Sequence, residues 1–505
     1  MRVLIGTDVL LYYLLKQELE GISMIFKWIE RLDATKYMDS SSIVILTNFV
    51  PLESFEELHG FEFLKGIRPK AHKIKELELK NKNIFCVNRT KYKPLLAQLN
   101  WLCYHDVDYL ITENAISHKI AKLLEVDDKV FSIEEFIEKC SIEHQDLDET
   151  RGIAIQKVRF GELNFNDRFF NTFKAEYEPY YHLWLEKKAN DGVYIAKDLN
   201  GKLRGLLKLK IENAHDDCGN IMPKFKPAKR LKISSLKAEF TSQKLGQRFM
   251  RIVFSTAMKE MVNEIYITLF PNSPQRRRLV SMIEQWGFVF YGIKDGREQV
   301  LLRSFRKELS DDPKESFPFC SLANNCFIIP INRSYATQLL PPFDNNENII
   351  DVEPIKQAIK KTIIMYDGTP NMKQGSILLF LQKTEDMNVV KITSLGIVEK
   401  IYRHFLNESH FISRCRKRSC FLDYTLHDFW IKTSERPIVV DFLYAYHFEK
   451  KIKKTVIDNW GINMKLINSQ CPVQLSKNQL LKIINNTPYE KIIITHTSGV
   501  CKTNT

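Results

Sequence analysis

The sequence predicts a multidomain protein of mixed α/β and α+β class, in three successive parts. Three observations carry this prediction. From Arg2 to about Ser141, short apolar runs alternate with helical patterns, the mark of a parallel sheet with helices on both faces. Leu231 to Phe288 reads as a strand, a Gln-Lys-Leu-Gly-Gln-Arg turn, a long helix, a second strand, a basic helix and Trp-Gly-Phe. From Phe319 onward the chain is strand-rich. A length of 505 residues with a hydrophobic fraction of 44% suits several globular domains with cores of their own.

In the first part, Val3-Leu4-Ile5, Ile43 to Leu46, Ile84 to Val87, Tyr109 to Ile111 and Val130-Phe131 are the expected strands. Met1 to Leu15 reads as a buried strand entering a helix. It lacks a small-residue cleavage site and holds Asp8 in its apolar run, so it does not read as a signal peptide. The polar, acidic stretch Glu143 to Arg151 reads as a linker.

The second part opens on a strand at Ile153. An aromatic helical stretch follows from Asp167 to Lys188, with Phe169, Phe170, Phe173, Tyr177, Tyr180, Tyr181 and Trp184 spaced by threes and fours. That spacing is first a core stripe, and second a lining for an acceptor pocket. Val193 to Ala196 and Leu203 to Ile211, joined through Asn200-Gly201, form a hairpin signal. Val289 to Phe305 folds back through Lys294-Asp295-Gly296 as another.

The turn Gln243, Lys244, Leu245, Gly246, Gln247, Arg248 opens a helix straight after a strand. The first amides of a helix have no intrahelical partner and carry partial positive charge, so such a turn is a natural anion site. Gly246 would let the backbone approach a pyrophosphate, with Lys244 and Arg248 adding charge. Glu239, near the end of the preceding strand, is the acid best placed to act as a base; otherwise it is a solvated strand-end residue. Arg276-Arg277-Arg278 opens the next helix, either as a phosphate grip or as a solvated face.

Leu309 to Phe317, charged, with Pro313 inside it and Pro318 just after it, is the second linker. Beyond it Ser376 to Leu381, Val389 to Lys400 and Ile438 to Phe448 are the expected strands. Arg414, Arg416, Lys417 and Arg418 lie close to Phe421, Tyr424 and Trp430. Cations among aromatics suit phosphate contact with base stacking, or a solvated loop beside a core. Lys450 to Lys454 reads as a helix surface.

Lys and Arg outnumber Asp and Glu by 74 to 61, a net charge of +13. That balance favours an anionic partner such as RNA, DNA or an acidic cofactor, without bearing on fold. The ten cysteines form no Cys-x-x-Cys pair, so zinc-site spacing is absent. No apolar run reaches the length of a membrane span. The expectation is a cytoplasmic protein with no membrane partner.

The middle part, residues 152–306, resembles the GNAT acetyltransferase family. The resemblance rests on the order of elements, on Gln243-Lys244-Leu245-Gly246-Gln247-Arg248 as the pyrophosphate turn, and on Gly287-Phe288 after a helix. It implies acetyl-CoA as cofactor and an N-acetyltransferase acting on an amine. The sequence departs from the family at Arg248, where a small residue is usual, and at Ile283, where many members carry the tyrosine that protonates the leaving thiolate.

The first part, residues 1–142, resembles a PIN domain, a nuclease fold that gathers acidic side chains around a divalent metal. The residues that carry this are Met1 to Asp8 and Val107 to Asn114, followed by a helix from Ser117. The resemblance implies Asp8 and Glu113 as ligands of Mg²⁺ or Mn²⁺, in a thinned site kept as a scaffold or an RNA-docking surface. Lys91 to Trp101 offers no acid where the family places another ligand, and Glu53, Glu56 and Glu57 are only nearby candidates for the second.

The last part, residues 319–505, resembles the PUA-like superfamily in its ASCH and EVE branches. Lys373 to Phe380, Val389 to Lys400 and Cys471 to Gln474 carry the likeness. It implies a small barrel-like module that binds RNA or a modified base. The expectations that follow are an acetyltransferase with an RNA-associated acceptor, a metal-dependent ribonuclease with a regulatory acetyltransferase fold, or a non-catalytic RNA-binding protein.

Overall fold

The computed structural model describes residues 1–16, 19–65, 69–80, 89–144, 153–178, 180–182, 189–239, 245–270, 274–305, 309–342, 354–366, 371–383, 389–405, 407–416, 419–421, 423–431, 437–462, 472–487 and 492–494. It is a mixed α/β structure with several sheets. Two compact units are present, one from Met1 to Glu149 and one that takes in most of the chain from Thr150 onward.

In the first unit β1 (Arg2–Ile5), β2 (Thr35–Asp39), β3 (Glu62–Leu64), β4 (Tyr109–Ile111) and β5 (Val130–Phe131) form a wholly parallel sheet ordered β3-β2-β1-β4-β5. Successive residues of β1 feed opposite cores. Val3 and Ile5 pack with Val9, Ile22, Trp28 and Phe136, while Leu4 packs with Leu99, Leu102 and Ile120. A sheet covered on both faces reads as a continuous apolar run, which is how β1 reads. Ile43 to Leu46, expected as a strand, lies instead in a Ser40–Leu46 helix with Val44 exposed. Its β-branched residues gave a strand signal that position in the fold overrides. The strand in that region is β2, and Ile84 to Val87 lie outside the described residues.

In the second unit β6 (Ala154–Arg159), β7 (Gly192–Lys197), β8 (Leu203–Glu212), β9 (Ile221–Met222), β10 (Arg230–Ala238), β11 (Glu264–Leu269), β12 (Val289–Lys294) and β13 (Glu298–Ser304) form a sheet ordered β6-β7-β8-β10-β11-β13-β12-β9. Only β10 and β11 pair in parallel. Both expected hairpins are present. In the second, Asp295 and Gly296 have φ of 50° and 69°, the two positive values of a type I′ turn. One face of this sheet, with Leu207, Leu231, Ile233, Ile265, Ile267 and Leu301, packs on Leu245, Phe249 and Val253 of the Leu245–Lys259 helix. Leu206 and Ile195 turn the other way, onto Phe160, Phe169, Phe170 and Phe173. Those three phenylalanines of the aromatic stretch are core, while Tyr180 is exposed.

The strand-rich remainder contributes β14 (Cys320–Ser321), β15 (Cys326–Ile331), β16 (Lys360–Tyr366), β17 (Ile377–Lys383), β18 (Val389–Tyr402), β19 (Pro437–Lys453), β20 (Val473–Leu475) and β21 (Ile493–Ile494). Six of them run β16-β19-β18-β17-β15-β20, while β14 pairs with β21. A barrel-like module was expected; among the described residues the six strands form a bent sheet in which β16 does not pair with β20. Three register shifts along β18 and β19 supply the bending. Ile328, Leu379, Leu395 and Ile483 belong to the same apolar cluster as Leu231 and Phe249, so one core runs from sheet to sheet. Lys450 to Lys453 end β19 and only Lys454 enters a helix, which corrects the expected helix surface.

Candidate functional site

β10 organises the candidate site. Against β8 its register shifts between Ile233 and Ser235, a bulge that bends the strand. On its other edge β10 pairs with β11 only from Arg230↔Glu264 to Ile233↔Ile267. Both strands run on, β10 to Ala238 and β11 to Leu269. Two parallel strands that stop pairing while continuing leave a wedge-shaped opening between them.

The Leu245–Lys259 helix begins just past that end of β10. Gln243 and Lys244 of the expected pyrophosphate turn lie outside the described residues. Leu245 and Gly246 form the buried start of the helix. A Cβ on Gly246 would meet only Met282 Cε, at 3.6 Å, an ordinary contact, so packing does not require a glycine there. Gln247 buries a side-chain oxygen with no hydrogen-bond partner among the described residues.

Arg248 corrects the sequence reading. It is 1% exposed, its Nε donates to Gln357 Oε1 at 2.7 Å and its Nη1 to the Ile153 carbonyl at 3.0 Å. One helical position past Gln247, it points away from the helix start and into the core, so it ties the helix to the second unit's interior and is not a phosphate ligand. Arg251, one turn on, does the same with the carbonyls of Lys356 at 2.5 Å and Pro342 at 3.2 Å.

Glu239 sits one residue past β10. Its carboxylate accepts from Arg204 Nη1 at 3.2 Å, and Arg204 Nε donates to Asp198 at 2.9 Å. Burial works against the Arg204 charge, but Asp198 and Glu239 outweigh it and raise its pKa. Glu239, expected as a base or as a solvated strand-end residue, is held in an ion pair with Arg204. Ile283, at the tyrosine position of the resemblance, is buried among apolar side chains. Arg276, Arg277 and Arg278 fall in the first turns of the Pro274–Glu284 helix.

Sequence reasoning missed a polar cluster on the sheet face opposite the Leu245–Lys259 helix. Glu212, 1% exposed, accepts the Tyr266 hydroxyl at 2.5 Å and the Cys218 thiol at 3.3 Å. Lys210 and Lys232 approach its other oxygen at 3.3 Å and 3.9 Å. Burial, with the Glu212 hydrogen bond, pushes the Tyr266 hydroxyl far up. Burial pulls the Lys232 ammonium down. The available signal was the alternation of Lys208, Lys210 and Glu212 along β8, which reads as an ordinary solvent face when only one strand is considered.

In the first unit, Asp8 does not end a strand. It lies in the first turn of the Thr7–Leu14 helix. Its carboxylate accepts from the Thr112 hydroxyl at 2.9 Å and the Glu113 amide at 2.6 Å. Burial raises its pKa. Burial pushes Glu113 up to about 8, while its Oε1 accepts the Ile133 amide at 2.7 Å. Asn114 caps the Ala115–Leu123 helix through Ile116 and Ser117. At the same end of the sheet Gln98 Nε2 donates to Thr7 Oγ1 at 2.7 Å, and Thr7 Oγ1 lies 2.7 Å from Ser42 Oγ. Of these neutral groups, all engaged with one another, Gln98 stands on the helix that lacked an acid and Thr7 stands beside Asp8. Glu57 is taken up by Lys16 at 3.1 Å. Among the described residues no group of three or more His, Cys, Asp or Glu could hold a metal ion. Mg²⁺ and Mn²⁺ need ionised oxygen ligands, and Thr7, Ser42 and Gln98 beside Asp8 are neutral groups already bonded to one another.

In the strand-rich part, Arg414 lies on the Glu408–Arg416 helix, not in a loop, with its guanidinium carbon 3.6 Å from the Tyr402 ring centroid. Arg416 closes that helix, and Lys417 and Arg418 lie outside the described residues. Tyr424 is exposed, and the rings of Phe411 and Trp430 lie 5.6 Å apart. No described helix is long and apolar enough to cross a membrane.

No protein-family model matches the chain, and no curated protein matches it. Solved structures do. A GNAT-family acetyltransferase from Listeria monocytogenes is 14% identical, over 26% of this chain and 76% of its own, at a TM-score of 0.21. The NatC complex bound to Gag peptide and CoA supplies a chain 18% identical, over 30% of this chain and 99% of its own, at a TM-score of 0.20. A point mutant of the ASCH protein from Zymomonas mobilis is 12% identical, over 32% of this chain and 96% of its own, at a TM-score of 0.24. Likenesses of this strength settle neither fold nor activity.

Proposed function

We propose that the second unit transfers an acetyl group from acetyl-CoA, taken as substrate, to an amine acceptor. The observation that carries this is the parting of β10 from β11 after Ile233↔Ile267, with the start of the Leu245–Lys259 helix beside the far end of β10. Amides at the helix start can hold a diphosphate, and Gly246 brings no side chain of its own to that helix start. The wedge between the strands then offers a path for a thioester arm. Transfer needs a neutral amine and polarisation of the thioester carbonyl by fixed dipoles. Calorimetric titration of the full chain with acetyl-CoA tests this directly. Binding that is lost in Gly246→Glu is the expected result, and absence of binding, or binding that survives Gly246→Glu, overturns it.

A further inference from the structure

We propose that Lys232 relays the acceptor's proton to the departing thiolate as the acetyl group moves, a role that rests on the acetyltransferase reading above. Its register places it there. Lys232 pairs with Tyr266 on β11 and Lys210 on β8, and the next rung, Ile233↔Ile267, is the last before β10 and β11 part. Lys232 therefore stands at the closed end of the wedge. Side chains alternate along a strand, and Leu231 and Ile233 face the Leu245–Lys259 helix, so Lys232 faces the opposite side. A thioester arm entering from the helix side and passing between the strands would emerge beside it.

Lys232 can touch a substrate where Glu212 and Tyr266 cannot. Glu212 is 1% exposed and Tyr266 fully buried, whereas the Lys232 side chain is 19% exposed. Its ammonium lies 3.9 Å from Glu212 Oε1 and 5.4 Å from the Tyr266 ring centroid, with no closer polar contact among the described residues. The charged and titratable groups around it are Glu212 and Lys210 from β8, Lys294 and Glu298 from the β12–β13 hairpin, Tyr266 from β11, and Cys218. Burial favours the neutral amine, and Glu212 restrains the ammonium once it forms. With Ile283 in place of a phenol, some other group must carry this proton.

The step balances without a further reactant. The acceptor nitrogen attacks the carbonyl carbon, the N–C bond forms, and the C–S bond breaks with its electron pair left on sulfur. The surplus proton on nitrogen passes to Lys232 Nζ, and Nζ gives a proton to sulfur. Lys232 ends in the protonation state in which it began.

Free CoA tests the placement without an acceptor. Bound beside Lys232, its thiol should lose a proton to Nζ, since a nearby cation lowers a thiol pKa by about one unit or more. The thiolate absorbance of CoA titrated into the full chain should therefore appear at lower pH than in free CoA. Lys232→Met should remove that shift while desulfo-CoA still binds as before, and Lys232→Arg should keep it. In the unaltered chain, CoA should also slow the labelling of Lys232 by acetic anhydride relative to Lys210. An unshifted thiol, the same shift in Lys232→Met, or equal labelling with and without CoA overturns the relay. Failure of both CoA and desulfo-CoA to bind instead overturns the acetyltransferase reading, and the relay with it.

Discussion

Asp8 Oδ2 takes the backbone amide of Glu113 at 2.6 Å, while the Glu113 carboxyl takes the Ile133 amide at 2.7 Å, both in a buried corner of the first unit. Burial raises Glu113 from 4.5 to about 8, and the Asp8 charge adds to the rise. The folded state thus holds a proton that the unfolded chain releases above pH 4.5 or so. The stabilising contribution is complete below that pH and is lost as pH climbs through about 8, at a slope of up to about 1.4 kcal/mol per pH unit. Urea denaturation of the full chain from pH 5 to pH 9 should show a transition that weakens with rising pH and flattens in Glu113→Gln. Equal slopes in the two chains would disprove this account.

Thr7, Ser42 and Gln98 close the same corner with neutral hydrogen bonds. A ligand that binds only the folded state raises its stability, so millimolar Mn²⁺ should leave the thermal midpoint of the full chain unchanged. A rise of several degrees that vanishes in Asp8→Ala would show a metal site after all.

Arg248 and Gln357 share a 2.7 Å hydrogen bond in the core. Removing the guanidinium in Arg248→Met leaves the Gln357 oxygen and the Ile153 carbonyl without it, at a cost of about 1–3 kcal/mol for each group left buried and unsatisfied. Chemical denaturation should record that loss. Acetyl-CoA affinity, measured well below the transition, should stay within about twofold, since a factor of ten needs 1.4 kcal/mol of lost contact. A tenfold loss of affinity in a fully folded variant would return Arg248 to the phosphate.

The elements that were legible are those whose signal is local. β1, β4, β5 and both hairpins carry their own apolar runs and turn residues, so their positions follow from neighbours in sequence. The Ser40–Leu46 helix was misread because Ile43, Val44 and Ile45 favour strands and only the surrounding layers make them helical. Arg248 was misassigned for a related reason. Charge beside a glycine turn suggests a phosphate, whereas helical phase, which the turn alone does not give, points it at Gln357. The Glu212–Tyr266–Lys232 cluster was invisible because its members come from three strands. Lys232 and Tyr266 become neighbours only once β10 lies parallel to β11.

Two glycines separate ligand binding from packing. Gly287 has φ of 80°, and a Cβ on it would lie 2.4 Å from the Glu315 carbonyl oxygen. Gly287→Ala therefore forces the backbone at two points and should cost about 1–3 kcal/mol. Gly246 meets only the flexible end of Met282 at 3.6 Å and lies in a helix, where alanine is favoured by up to about 1 kcal/mol. Gly246→Ala should then leave the urea midpoint unchanged or raised, yet weaken acetyl-CoA, because the added methyl occupies space that a diphosphate at the helix start needs. Calorimetry on the two variants decides the matter. Weaker binding in Gly246→Ala at full stability assigns that glycine to the ligand, and undiminished binding removes it from the site.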